Sequence, residues 1–159
     1  METKKHNVES FNLDHTKVTA PYVRLASKKV GPVGDIVTKF DIRFTQPNVD
    51  FMPMAGIHTL EHLVAEYIRD VIEGVIDFSP MGCRTGFYLT LFGDYTEEQV
   101  AEKMLLVLKS VSEWPDNKSI PGLDPKECGN YREHELSAAK KWAGTWVRGI
   151  TDKGWNCYK

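Results

Sequence analysis

Two histidines stand four residues apart in the segment IHTLEH, Ile57–His62, with a glutamate directly before the second. On an α-helix, at about 100° per residue, His58 and His62 project one turn apart, and both imidazoles can reach one ion. The pattern H-x-x-E-H is the inverted form of the zincin motif, in which two histidines hold a metal and the carboxylate, here Glu61, stands beside it for proton transfer. The bland alternative is a pair of histidines near a helix N-terminus that satisfy backbone groups or face solvent. A catalytic metal needs a third protein ligand and an open position. The sequence offers Cys128, His134 and the carboxylates Glu127, Glu133 and Glu135. A thiolate or a neutral imidazole suits a borderline-soft ion such as Zn2+ or Fe2+. Cys128, in the turn-like ECGN, is the favoured ligand because a loop can carry it onto the helix, whereas His134 falls within a predicted helix; spacing alone leaves the choice open. Cys83 is different in kind. Glycines flank it in a loop that can expose it, and the neighbouring Arg84 or a nearby metal would favour its thiolate; its inert alternative is a buried thiol in a turn. Cys157, near the C-terminus, has no evident role.

The elements that must position these groups are legible from periodicity. PYVRLASKKV and DIVTKFDIRF flank the turn-rich GPVG, and Ile36, Thr38, Phe40, Ile42 and Phe44 alternate with Val37, Lys39, Asp41 and Arg43. That is a half-buried strand in a hairpin, with Arg43 on its more polar face. GVIDF and FYLTLFG read as two further strands joined by SPMGCRTG, the loop of Cys83. In IHTLEHLVAEYIRDVIEG, Ile57, Leu60, Val64, Tyr67, Ile68, Val71 and Val75 recur at helical spacing. TEEQVAEKMLLVLKSVSEW opens on Thr96 and Gln99, a capping box, with Val100, Met104, Leu108 and Val111 as its buried stripe. REHELSAAKKWAGTWVRGI carries a similar stripe through Leu136, Ala139, Trp142, Trp146 and Ile150. Between the last two helices lies PDNKSIPGLDPKECGNY, a Pro/Gly-rich loop of a length that usually means function or mobility.

Composition limits the classes that remain. A chain of 159 residues with 42% hydrophobic and 26% charged content reads as a single domain over residues 1–159, long enough to bury a core. With 20 basic against 22 acidic residues and no dense Lys/Arg block, it has no electrostatic footprint for nucleic acid. The TKK near the start and AAKK near the end are solvated faces. No segment approaches the roughly 20 apolar residues that span a bilayer, and the N-terminus lacks the apolar run of a signal peptide. Three widely spaced cysteines argue for free thiols in a reducing compartment, so a cytoplasmic location is expected.

Taken in order, VESFNLDH, FDIRFTQPN, HTLEH, SPMGCRTGFY and ECGNYREHEL resemble successive motifs of the S-ribosylhomocysteine lyase (LuxS) family, from Ser10 to about Lys141. The resemblance implies an α+β fold, a mainly antiparallel sheet with helices packed on one face, and a homodimer. It implies that His58, His62 and Cys128 bind one divalent metal per subunit, usually iron(II) and replaceable by zinc or cobalt. Cys83 and Glu61 would be the acid/base pair, and Ser10, His15, Arg43 and Asp77 would line the substrate pocket. Two departures are visible: Glu135 stands where the family commonly has Asp, and the C-terminal GITDKGWNCYK matches none of these motifs. The implied reaction cleaves S-ribosylhomocysteine to homocysteine and 4,5-dihydroxy-2,3-pentanedione, a quorum-sensing signal precursor, by successive enolisations and a β-elimination. The competing readings are an inverted-zincin metallopeptidase, in which Glu61 would activate water, and a non-catalytic metal-binding scaffold. An independent hint of a second subunit is that His58 and His62 lie off the apolar stripe and need a cover.

Overall fold

The architecture follows from where the alternating strands bury their apolar side. The computed structural model describes residues 6–158, so the TKK stretch lies outside the described residues. After a short 3-10 turn at Glu9–Asn12 come strands β1 (Tyr22–Val30) and β2 (Ile36–Arg43), helix α1 (Met54–Ile68), strands β3 (Val75–Pro80) and β4 (Gly86–Phe92), and helices α2 (Glu97–Ser112) and α3 (Leu136–Lys153). The strands form one sheet in the order β1-β2-β4-β3, each neighbouring pair antiparallel. On one face Phe40 and Ile42 of β2 oppose Leu89 and Phe87 of β4. These residues share a core with Phe78 and with Ile57, Leu60, Leu63, Val64 and Ile68 of α1. Each such side chain contributes about 1.5–3 kcal/mol on burial, so the register is strongly set. Helix α1 packs against β3, α2 and α3 and is the central helix. This is the expected α+β arrangement, with the helices on one face of an antiparallel sheet.

The other face of the sheet is polar and yet covered. The register sets Tyr22 opposite Arg43 and Arg24 opposite Asp41 on β1 and β2, and Asp41 opposite Tyr88 on β4. Side chains directly opposite share a face. Asp41 is 0% and Arg43 1% exposed, because the chain around the Glu9–Asn12 turn lies over β1 and Glu9 bonds Arg24.

Two helix boundaries differ from the periodicity. Helix α1 stops at Ile68, and Val75 belongs to β3. The chain reverses through Gly74, whose φ of +71° and approach to the Phe92 carbonyl leave no room for a Cβ. Helix α3 starts at Leu136, four residues later than the pattern REHEL implied. Glu135 is extended, and its N–H donates to Thr59 Oγ1 of α1 at 2.9 Å, so Arg132–Glu135 runs as a strap beside α1. The Thr96–Gln99 capping box of α2 forms as read, with Gln99 N–H on Thr96 Oγ1 at 3.2 Å and Thr96 N–H on Gln99 Oε1 at 2.9 Å. The C-terminal segment has a packing role. Thr19 N–H donates to the Cys157 carbonyl at 2.9 Å and Val23 N–H to the Trp155 carbonyl at 3.0 Å. Cys157 itself is buried with Val18 and Tyr22, and burial raises its thiol pKa, which suits an inert thiol.

Candidate metal centre and active-site cavity

His58 and His62 leave α1 on the side that meets the 113–135 loop, and that loop fixes both rings. His58 Nδ1 lies 2.9 Å from the Glu133 carbonyl and His62 Nδ1 lies 2.7 Å from the Pro121 carbonyl. A carbonyl only accepts, so each Nδ1 carries the hydrogen, and in the neutral ring that tautomer leaves the Nε2 lone pair for a metal. Carbonyl-oriented imidazoles of this kind are the usual outer partners of metal-bound histidine. The loop can come this close because residue 122 is glycine. Its φ is +70°, and a Cβ there would stand 3.0 Å from His62 Nδ1. The cover expected from a second subunit is thus supplied in part by the chain's own loop.

Cys128 arrives on a turn in which its N–H and that of Glu127 both donate to the Asp124 carbonyl at 3.0 Å. Its Sγ stands 3.3 Å from His58 Nε2 and accepts from Asn130 N–H at 3.4 Å. Sulfur and nitrogen bound tetrahedrally to one zinc-sized ion, at roughly 2.3 and 2.05 Å, are about 3.6 Å apart.

His134 joins them. One ligand atom each from His58, His62, Cys128 and His134 lies within 4.8 Å of the others. His134 sits on the extended strap rather than in a helix, so the ground for setting it aside does not hold. Thr59 Oγ1 donates to the Ala55 carbonyl at 2.9 Å, which leaves it to accept from His134 Nδ1 at 3.2 Å. His134 Nε2 is buried with no hydrogen-bond partner. Burial, with the neighbouring His58 and His62, pushes this imidazole down to about 4, so its lone pair is free at neutral pH. Three imidazole nitrogens and one sulfur fit a borderline first-row divalent ion and do not fit a hard ion that wants oxygen.

A second cavity of about 360 Å³ opens on the polar face of the sheet, lined among others by Ser10, His15, Arg43, Cys83 and Tyr88. Four of the residues singled out in the sequence therefore meet in one place. Arg43 is locked there: Nε donates to Asp41 Oδ1 at 3.1 Å and Nη2 to Asp41 Oδ2 at 2.7 Å. Burial opposes its charge, but the bonds to Asp41 outweigh that and hold the guanidinium above its ordinary value. Tyr22 also donates to Asp41 Oδ2, at 3.2 Å; burial and that carboxylate push the phenol up. The free arm of Arg43, Nη1, donates to Thr85 Oγ1 at 2.7 Å, and Thr85 Oγ1 lies 3.0 Å from Cys83 Sγ. Arg84, between Cys83 and Thr85, has φ +62°, the left-handed region that is uncommon outside glycine. Its guanidinium lies over Phe51, 4.2 Å from the ring centre. The turn thus turns Cys83 and Thr85 to the same side.

Glu61 and Asp77 are not among the residues lining the Cys83 cavity. Glu61 lines a separate cleft of about 270 Å³ with His62, Glu66, Arg69 and Pro121. Asp77 is exposed on β3 and accepts from Ser79 Oγ at 2.7 Å. Three residues that shape the sites were not singled out from sequence: Thr59, which seats His134; Asp41, which seats Arg43; and Thr85. Of these only Asp41 carries a readable signal, as an acidic residue two before Arg43 on one strand face.

Comparison with known proteins agrees with this geometry. The family model described as S-Ribosylhomocysteinase (LuxS) matches residues 8–156. S-ribosylhomocysteine lyase of Streptococcus mutans is 50% identical over 151 residues, 94% of each chain. The lyase of Lactococcus lactis subsp. cremoris is 51% identical over 140 residues, 86% of this chain and 87% of its own. That of Deinococcus radiodurans is 51% identical over 148 residues, 93% of this chain and 90% of its own. A match over nearly the whole length, at half the positions, with a metal-competent His/Cys cluster where H-x-x-E-H lies, places this chain in the S-ribosylhomocysteinase (LuxS) family.

Proposed function

We propose that the protein is a metal-dependent S-ribosylhomocysteine lyase, with His58, His62 and Cys128 as the metal ligands. The observation that carries the reading is their convergence, with both histidine tautomers fixed by backbone carbonyls so that Nε2 faces the cluster. A single divalent ion bound there, iron(II) in the family's usual form, supplies Lewis-acid stabilisation of the negative charge that develops on the sugar oxygens during enolisation. The thioether sulfur of the substrate is on C5 of the ribose, so its departure requires a carbonyl at C3 and loss of the C4 proton. Cys83 and Glu61 shuttle protons between neighbouring carbons to move the carbonyl from C1 to C3. Removal of the C4 proton then expels the homocysteine thiolate and leaves 4,5-dihydroxy-2,3-pentanedione. Ser10, His15 and Arg43 hold the sugar beside Cys83, and Asp77 contributes from the neighbouring strand. A reducing, cytoplasmic setting keeps Cys83 and Cys128 as the free thiols this chemistry needs.

The active enzyme in this reading is a homodimer. Within one chain the Cys83 cavity and the Glu61–His62 cleft are lined by different residues. A second copy can set the cavity of one chain against the metal cluster of the other. A scaffold reading also has an observation in its favour, since four donors from His58, His62, Cys128 and His134 are the count of a closed structural site. Incubation of the metal-loaded protein with S-ribosylhomocysteine, followed by colorimetric detection of free thiol, separates the two. Wild type releases homocysteine. Cys83→Ala and Glu61→Gln keep their metal and lose roughly 10²–10⁴-fold in rate, as expected for removal of an acid/base group. No release from wild type would sink the lyase, and release at the wild-type rate from Cys83→Ala would sink the mechanism. A peptidase would need Glu61 and tolerate the loss of Cys83.

A further inference from the structure

We propose that Glu9 is a positioning residue: its two-pronged ion pair with Arg24 of β1 fixes Ser10 and Phe11 in the wall of the Cys83 cavity.

Two kinds of chain build this cavity. Arg43 and Tyr88 stand on strands of the sheet, whereas Ser10, Phe11 and His15 stand on an irregular N-terminal segment. Its one helical turn, Glu9–Asn12, is four residues long and has no side-chain cap, so it needs a tie to the sheet. Of residues 6–17 only Glu9, Ser10, Leu13 and His15 are not exposed. Leu13 packs with Val18, Tyr22 and Cys157, and its carbonyl accepts from His15 Nδ1 at 2.9 Å, so this apolar anchor seats His15. Ser10 and Phe11 lie on the other side of the anchor. Phe11 is 66% exposed and gains little from burial. The bonds of the turn stay inside the segment, from Phe11 N–H to the Val8 carbonyl and from Asn12 Nδ2 to the His6 and Val8 carbonyls. Among the described residues, the hydrogen bonds and ion pairs found to leave residues 6–17 for the rest of the chain run between Glu9 and Arg24.

That pair has the form of a fixed link. Arg24 Nη1 donates to Glu9 Oε1 at 2.6 Å and Nη2 to Glu9 Oε2 at 3.3 Å, a fork on a carboxylate that sets direction as well as distance. The Arg24 side chain is 14% exposed and that of Glu9 39%, so the pair is partly shielded from water. Arg24 Nη2 also lies 3.4 Å from Asp41 Oδ2, and Asp41 holds Arg43 through both of its carboxylate oxygens. Negative and positive groups thus alternate from the segment into the sheet, Glu9–Arg24–Asp41–Arg43, and the series sets Ser10 and Phe11 relative to Arg43. Without the Glu9 carboxylate, Arg24 keeps the longer contact to Asp41 and the turn loses its polar tie.

The consequence for turnover rests on the reading of Ser10 as a substrate-binding residue, but the link itself does not, and it is tested first without substrate. Metal-loaded protein is cut with chymotrypsin after Phe11 and, separately, with trypsin after Lys17; native cleavage follows the population of the locally opened segment. Each rate is divided by that of a synthetic peptide of residues 6–20 carrying the same substitution. Glu9→Gln keeps the shape and removes the charge. It is expected to speed cleavage after Phe11 roughly two- to tenfold, the range a partly exposed ion pair carries, and to leave cleavage after Lys17, beyond the Leu13 anchor, at the wild-type rate. In an Arg24→Gln background, Glu9→Gln is expected to add nothing. Should Arg24→Gln disturb folding, as judged by circular dichroism and thermal unfolding, Arg24→Lys serves in its place, since it loses the fork, and the effect of Glu9→Gln should shrink there. Equal cleavage of wild type and Glu9→Gln overturns the proposal, as does an undiminished effect of Glu9→Gln in the Arg24 variant, which would mean Glu9 acts by another route. In thiol release from S-ribosylhomocysteine, Glu9→Gln should raise KM by a similar factor and leave kcat near wild type, a split that a general loss of stability does not produce. Faster cleavage with an unchanged KM would count against Ser10 as a sugar-holding residue and not against the link. Absence of thiol release from wild type would count against the lyase alone.

Discussion

At the scale of single residues the metal cluster is defined by which atoms have lost their alternatives. His58 Nδ1 and His62 Nδ1 are spent on carbonyls and His134 Nδ1 on Thr59, so the remaining nitrogens have no other role among the described residues than to face one another and Cys128. Cys128→Ala removes the one sulfur donor of the set. Protein purified anaerobically should hold about one transition metal per chain as wild type and lose most of it as the variant; full occupancy in elemental analysis of Cys128→Ala would rule the ligand set out. His134 gives a pH prediction for metal-free protein. Burial, then His58 and His62, lower its value to about 4 from the ordinary 6.5. Between those values the unfolded chain binds a proton that the folded chain does not, so stability is full above about 6.5 and declines as pH falls towards about 4. Urea midpoints of metal-free wild type should therefore drop across that window, and those of His134→Gln should drop less. Equal slopes would remove His134 as the cause.

The elements show why some of this was legible in the sequence and some was not. Alternation on β2, the strands around the Cys83 loop and the Thr96 cap are local signals, and each reappears where the pattern set it. The metal helix and its two histidines were equally local. The helix ends were not, because they are decided by partners distant in sequence: Thr59 pulls Glu135 into an extended strap, and the approach of Gly74 to Phe92 ends the run that periodicity carried to Val75. For the same reason the local pattern puts His134 in a helix, although the strap brings it beside His58, with ring centres 4.0 Å apart. Thr85 gave no sequence signal, since its meaning depends on Arg43 across the sheet. Gly122 is another residue whose purpose only the packing reveals. Alanine there must take a φ of +70° and place a Cβ against His62, so Gly122→Ala should destabilise the fold by about 1 kcal/mol or more and weaken metal retention under chelator. The comparison is Thr96→Ala, which removes the α2 cap at a similar cost of about 1 kcal/mol and should leave metal retention unchanged. Parallel chelator-release curves for the two variants would show that the loop does not seat His62.

At the scale of the whole molecule what matters is the cover over the metal cluster and the Cys83 cavity. No helix among the described residues is long and apolar enough to cross a membrane, yet large apolar side chains stand exposed beside both sites. Phe11, which lines the Cys83 cavity, is 66% exposed; Phe51, stacked under Arg84, is 56%; and Met54, which opens the metal helix, is 50%. The segment that carries Phe51 is tied to the Cys83 turn by a hydrogen bond, Met52 N–H donating to the Arg84 carbonyl at 2.9 Å, and Met52 is itself fully buried. The segment before α1 and the Cys83 turn are thus joined where Arg84 lies over Phe51. A second copy of the chain, burying Phe11, Phe51 and Met54, would exclude water from an enolisation that is favoured by low dielectric. Light scattering at micromolar concentration should give twice the 18.1 kDa chain mass. Phe51→Glu places a charge in the covered patch. It should shift the protein towards monomer and make thiol release per chain fall on dilution, while elemental analysis finds the metal content unchanged, because His58, His62 and Cys128 come from one chain. A monomer with full, dilution-independent activity would show that one subunit completes the site by itself, and the dimer would then have no part in the chemistry.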